Sequence, residues 1–201
     1  MGPARSYSLE SLFVSTLVVA IAEIGDKTQL LALLLASKFR KPVAIILGIL
    51  AATLANHAGA AALGTWVAAL VGPDMMRWLL GGSFIAMGLW TLIPDKIEDD
   101  EDTATNRSRL GVFGTTVITF FLLEMGDKTQ IATIALAAKY SNLVAVTTGT
   151  TLGMMLANVP AVLVGDIAAK KLPLSLVRAV TAAIFVVLGI VTLLDVLPHF
   201  R

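Results

Sequence analysis

Apolar residues run in six long blocks along the chain, and the polar residues that interrupt them fall into short clusters. The blocks lie near residues 9–37, 43–71, 75–93, 111–138, 142–168 and 174–197. As helices rising about 1.5 Å per residue, each is long enough to cross a hydrocarbon layer about 30 Å thick. Most connectors are brief and rich in turn residues: Lys38-Phe39-Arg40-Lys41-Pro42, Gly72-Pro73-Asp74, Tyr140-Ser141-Asn142 and Lys170-Lys171-Leu172-Pro173. Connections this short predict antiparallel neighbours. Residues 94–110 differ, because Glu98-Asp99-Asp100-Glu101-Asp102 and the Thr, Asn, Arg and Ser residues after it make a polar linker. The expected fold class is therefore all-α, a polytopic membrane protein of six transmembrane helices. The linker divides it into three-helix units at 1–93 and 111–201.

Two of the apolar blocks carry charge in their middle. Glu23-Ile24-Gly25-Asp26-Lys27-Thr28-Gln29 returns as Glu124-Met125-Gly126-Asp127-Lys128-Thr129-Gln130, with six of seven positions identical. Burying such groups at a bilayer centre costs about 3 kcal/mol each on insertion scales, so they are expected to serve a function. The halves also match at a spacing of 101 residues in Ser15 with Thr116, Lys38 with Lys139, Gly48 with Gly149, Phe84 with Phe185, Gly88 with Gly189 and Thr91 with Thr192. Leu54-Ala55-Asn56 pairs with Leu156-Ala157-Asn158 after a one-residue shift. An odd number of helices per unit makes the second copy enter from the opposite side, so the two units are expected to be inverted repeats around one midplane site.

Composition narrows the class. The chain is 57% hydrophobic and 14% charged, and its mean hydropathy is +0.85, which excludes an ordinary soluble domain and makes the lipid bilayer its partner. The absence of cysteine excludes disulfides, thiolate metal sites and c-type haem attachment. A net charge of +1 gives no reason to expect nucleic acid, and the first residues do not read as a cleaved signal peptide. Lys38, Arg40, Lys41, Lys96, Arg107, Arg109, Lys170 and Lys171 collect on one side, against Arg5, Arg77, Lys139 and Arg201 on the other. The positive-inside rule makes the first side cytoplasmic. The expected location is a multi-pass inner (plasma) membrane protein with both termini outside and the acidic linker inside the cell. The sequence leaves room for a homo-oligomer.

Glu23 and Asp26 are three residues apart, as are Glu124 and Asp127, so on continuous helices each pair would share one face about a turn apart. Four carboxylates brought together need protons, the ammoniums of Lys27 and Lys128, or a bound cation, and four carboxylates, two ammoniums and one divalent ion sum to zero. Carboxylate, hydroxyl and amide oxygens suit calcium, manganese and magnesium, whereas zinc and copper usually enlist histidine or cysteine. Thr28, Thr129, Gln29 and Gln130 add neutral oxygens, and Gly25 and Gly126 let the helix loosen so that backbone carbonyls can turn towards an ion. Asn56 and Asn158 are further candidates as ligands or supports. Crowded carboxylates also take up protons when a metal leaves, which suits exchange for protons.

The paired Glu-x-Gly-Asp-Lys-Thr, at Glu23 to Thr28 and Glu124 to Thr129, resembles the Golgi-type manganese and calcium transporter family, also called the Gdt family. The resemblance covers essentially the whole chain. It implies a secondary transporter rather than an enzyme, exchanging manganese or calcium for protons, with the cation as substrate and no prosthetic group. It also implies ion binding by Glu23, Asp26, Glu124 and Asp127, with Thr28, Thr129, Gln29 and Gln130 beside them. The compact chain resembles the bacterial members, for which manganese export from the cytoplasm is the implied role.

Other readings compete. Glu23 with Lys27, and Glu124 with Lys128, could be ion pairs within one helix that serve packing alone, which leaves Asp26 and Asp127 unexplained. A cation channel would use the same carboxylates as a selectivity ring. An intramembrane aspartyl hydrolase needs one dyad rather than two full Glu and Asp pairs. An exporter of small cationic metabolites calls for aromatic residues near the motifs, where there are few beyond Phe120 and Phe121. His57, whose repeat equivalent is Val159, reads as a satisfied packing histidine, and Met125 as a packing methionine. Asp166 and Asp195 fall near helix ends and read as interfacial.

Overall fold

The computed structural model describes residues 3–93, 111–164 and 174–194. The acidic linker at 94–110, the basic turn at 170–173, Asp166 and Asp195 lie outside the described residues. Eight α-helices and no strand are described: α1 (Pro3–Glu23), α2 (Lys27–Phe39), α3 (Pro42–Leu70), α4 (Pro73–Thr91), α5 (Gly111–Glu124), α6 (Lys128–Tyr140), α7 (Leu143–Val164) and α8 (Leu174–Leu194). The all-helical architecture follows the apolar blocks.

Two of those blocks are not single helices. The block expected over 9–37 divides into α1 and α2, bent by 69°, and the block over 111–138 divides into α5 and α6. Both breaks fall on the repeated motif. Gly25 and Gly126 have φ of 79° and 78°, a left-handed conformation that costs an L side chain about 1–2 kcal/mol. Asp26 and Asp127 follow in extended conformation as the N-caps of α2 and α6. Glutamate and aspartate of each motif are thus the last residue of one helix and the cap of the next, not neighbours on one helix face.

The matched local structure continues at the far ends of these short helices, where Arg40 and Ser141, 101 residues apart, close α2 and α6 with φ of 52° and 48°. Proline at the first position then starts α3 and α4, where its missing N–H costs no hydrogen bond.

By length and composition, Pro42–Leu70 and Leu143–Leu163 can each cross a membrane, and the bent pair of Ser8–Glu23 and Lys27–Phe39 qualifies as a third span if counted as one. Gly111–Glu124 and Arg178–Leu194 are shorter apolar helices.

Packing joins the two halves crosswise. α1 lies along α7, α3 along α5, and α4 along α8. Small residues set these approaches. A Cβ added to Gly48 on α3 would sit 2.7 Å from Thr116 Cβ on α5, and one added to Gly149 on α7 would sit 2.9 Å from Ser15 Cβ on α1. Between α4 and α8, a Cβ on Gly88 would meet Val186 Cγ2 at 2.8 Å and one on Gly189 would meet Ile85 Cγ1 at 2.6 Å. Each contact recurs with its residues exchanged by 101 positions. Phe84 and Phe185, also 101 apart, stack with ring centroids 6.3 Å apart.

Candidate metal centre

The two helix breaks bring the motif residues together inside the bundle. Glu23, Asp26, Glu124 and Asp127 are all buried. Oxygens of Glu23, Glu124 and Asp127, one from each, lie within 4.8 Å of one another. Glu23 Oε1, Glu124 Oε1 and Asp127 Oδ2 accept no hydrogen bond from the described residues. Buried polar atoms are rarely left so, and these three carboxylates, drawn from both halves, make a candidate site for a cation.

The remaining polar groups of the motif hold these carboxylates in place. Thr28 Oγ1 donates to Glu23 Oε2 at 2.5 Å, and Thr129 Oγ1 donates to Glu124 Oε2 at 2.9 Å. Each threonine therefore fixes one glutamate oxygen and leaves the other to face its neighbours. Gly25 N–H donates to Gln29 Oε1 at 2.9 Å and Gly126 N–H to Gln130 Oε1 at 2.8 Å, so the glutamines lock the two breaks by reaching back from the first helical turn. Their amide nitrogens tie each break to the other half: Gln29 Nε2 donates to Ala157 O at 3.0 Å, and Gln130 Nε2 to Asn56 Oδ1 at 2.5 Å. Asn56 thus supports the second motif through its side-chain oxygen, while Asn158 Oδ1 is buried without a hydrogen-bond partner among the described residues.

The lysines form ion pairs with the aspartates of the opposite motif. Lys27 Nζ lies 3.2 Å from Asp127 Oδ1, and Lys128 Nζ pairs with Asp26 Oδ1. Both ion pairs cross between halves, which corrects the reading of local pairs within one helix. The helix break is the cause, since it turns each lysine away from the glutamate that ends the preceding helix. Lys128 is nearly buried and Lys27 is 22% exposed.

His57 also departs from expectation. It is fully buried, neither ring nitrogen has a hydrogen-bond partner among the described residues, and Nε2 lies 4.0 Å from Glu124 Oε2. It is not a satisfied packing histidine. The signal available in the sequence was its adjacency to Asn56, which supports the second motif. Met125 is 56% exposed beside the buried Glu124.

The family model described as the GDT1 divalent cation/proton antiporter matches residues 11–99 and 112–199, one segment in each half. A protein of Vibrio cholerae serotype O1, whose name gives it by inference as a manganese exporter, is 53% identical over 182 residues, covering 90% of this chain and 89% of that protein. GDT1-like protein 3 of Oryza sativa is 29% identical over 199 residues, covering 88% of this chain and 71% of its own. A GDT1-like protein of Synechocystis is 27% identical over 205 residues, covering 92% and 97%. No solved structure matches the chain.

Proposed function

Because the chain belongs to the GDT1 family of divalent cation/proton antiporters, we propose that it exports manganese or calcium from the cytoplasm in exchange for protons by alternating access. The observation that carries this reading is the buried cluster of Glu23, Glu124 and Asp127, drawn from both halves, with an unpartnered oxygen on each. Metal ion and protons compete for those oxygens. When the ion leaves, the crowded carboxylates are neutralised by protons, and the next ion displaces them. Asp26, Thr28, Thr129 and Asn158 complete the polar shell, while Gln29, Gln130 and Asn56 hold its geometry. Lys27 and Lys128 balance charge, so that four carboxylates with two ammoniums leave room for one divalent ion.

The chain crosses the membrane six times as two inverted three-helix repeats, residues 1–93 and 111–201, with 94–110 on the cytoplasmic side and both termini outside. The exchanged contacts of Gly48 with Thr116 and Gly149 with Ser15 support this arrangement, as does the charge bias of the loops. α6 rests against α4 as well as α1, α3 and α7, whereas α2 rests on α7, α5 and α3 and is less buried. That difference supports a state closed around α6 and looser around α2, on the cytoplasmic side.

Proteoliposomes test the coupling. An imposed pH gradient should drive manganese against its own gradient, and manganese movement should carry protons the other way. Metal flux that ignores the pH gradient and moves no protons identifies a channel instead.

A further inference from the structure

The two motifs carry the same glutamine, yet its amide ends on different acceptors in the two halves. Gln29 and Gln130 each take the N–H of the glycine at the break on Oε1, which leaves Nε2 to reach the other half. Gln130 Nε2 donates to Asn56 Oδ1 at 2.5 Å, whereas Gln29 Nε2 donates to Ala157 O at 3.0 Å. These acceptors are sequence neighbours, since Ala55-Asn56 on α3 is matched by Ala157-Asn158 on α7. Asn56 is tied at both ends, because its Nδ2 also donates to Phe121 O at 3.5 Å. Asn158 is tied only within its own helix, with Nδ2 donating to Met154 O at 3.0 Å and Met154 Sδ at 2.9 Å. The residue is fully buried, and its Oδ1 has no hydrogen-bond partner among the described residues. An orphaned buried acceptor is costly and uncommon. This one belongs to the residue next to the carbonyl that holds Gln29, and its equivalent in the other half is the oxygen that holds Gln130.

We propose that Asn158 Oδ1 is the vacant position of an exchange. As the chain passes to its opposite-facing state, Gln29 Nε2 moves from Ala157 O to Asn158 Oδ1, and Gln130 Nε2 moves from Asn56 Oδ1 to Ala55 O. The inference rests on the alternating-access reading above and adds two positioning residues, Asn56 and Asn158, that hold one half shut in each state. Two equivalent halves can trade conformations with little change in their summed contacts, because each takes up what the other gives up. The half closed around α6 has its glutamine on an asparagine side chain, and the half looser around α2 has its glutamine on a backbone carbonyl. A carbonyl oxygen has two lone pairs, so a residue inside a helix can take a second donor. The exchange gives up one bond between side-chain amides and makes another, so it favours neither state. Each glutamine also holds the glycine of its own break, and the exchange therefore links each break to α3 or α7 of the opposite half.

Because the chain has no cysteine, single reporters can be placed at a repeat-matched pair, Ser37→Cys on α2 and Ala138→Cys on α6. Ser37 is exposed and Ala138 is buried, so a thiol reagent should label position 37 faster than position 138 in the state closed around α6. The full chain in lipid nanodiscs is labelled with and without manganese. Asn56→Leu removes the acceptor used in this state and should shift the ratio of labelling rates towards position 138 by about fivefold, the weight of one hydrogen bond. Asn158→Leu removes the acceptor used in the opposite state and should shift the ratio the other way. The two together should return it to within about twofold of the parent chain. Ratios that respond to manganese but move in the same direction in both single variants, or ignore Asn158→Leu in the Asn56→Leu background, overturn the exchange and leave alternating access standing. Ratios that never change, with manganese or in any variant, overturn both. Thermal unfolding in detergent identifies a variant that fails to fold, and Asn56→Ser and Asn158→Ser, with the same expected shifts, then take its place.

Discussion

The two motif copies differ at one position in seven, yet they do not sit in equal surroundings. Both form the same break, with glycine at positive φ and aspartate as the cap, and both threonines donate to the glutamate five residues before. Beyond that the halves diverge. Lys128 is nearly enclosed and Lys27 is partly exposed. Gln29 reaches a backbone carbonyl and Gln130 a side-chain amide. α6 buries Lys128, Thr129, Ala132, Thr133, Ala135, Leu136, Ala137 and Ala138, whereas α2 buries Thr28, Leu31, Ala32, Leu33 and Leu35. The six shared motif residues therefore determine the local break, and neighbouring helices decide how firmly each half is held.

The comparison can be broken most decisively at the carboxylates. Glu23→Gln and Glu124→Gln should each reduce manganese transport in vesicles by more than about a hundredfold, because either loss removes an oxygen that no other group replaces. Full activity in either variant would mean that one half suffices. A smaller but unequal effect is expected at the lysines. Lys128→Ala removes the buried cation paired with Asp26 and should lower folding stability by about 3 kcal/mol. Lys27→Ala leaves Asp127 beside a partly exposed position and should lower it by about 1 kcal/mol or less. Thermal unfolding in detergent measures both, and equal shifts would dissolve the distinction between a tight and a loose half.

Gly25→Ala and Gly126→Ala should each lose about 1–2 kcal/mol, since both place a side chain at positive φ, and similar losses would show that the breaks are energetically equivalent. The smallest effect concerns access. Thiol reagents should label a cysteine at position 27 several times faster than one at position 128, as relative exposure of the two lysines implies.

The apolar blocks, the duplicated motif and the positions of the main turns were legible in the sequence because they follow from hydropathy and from turn residues. Gly48, Gly149, Ser15 and Thr116 stood out there only as repeat-matched positions, and the approach of Gly48 to Thr116 and of Gly149 to Ser15 across the halves was not legible. The break was less visible. Glu-x-Gly-Asp reads as three residues of helix by spacing alone, and only the positive φ of the glycine turns glutamate and aspartate into the end of one helix and the cap of the next. The crossed ion pairs were hidden for the same reason, because a lysine four residues after a glutamate is the usual signature of a local pair. That both ring nitrogens of His57 lack a hydrogen-bond partner among the described residues was hidden, because one histidine without a repeat partner gives no periodic signal. Its surroundings depend on where α3 passes Glu124, which is a tertiary fact.

The crossed pairing of Lys27 with Asp127 and Lys128 with Asp26 bears on how the protein is made. A ribosome delivers Glu23, Asp26 and Lys27 roughly a hundred residues before their partners. Until the second motif emerges, the first presents two carboxylates and an ammonium to its surroundings with none of their final contacts. The site is therefore among the last features to form during synthesis, and a truncated chain that ends before residue 124 lacks both of its electrostatic closures. Such a product should be unstable in the membrane and open to removal, so that charge placed across the halves also serves as a check on completion.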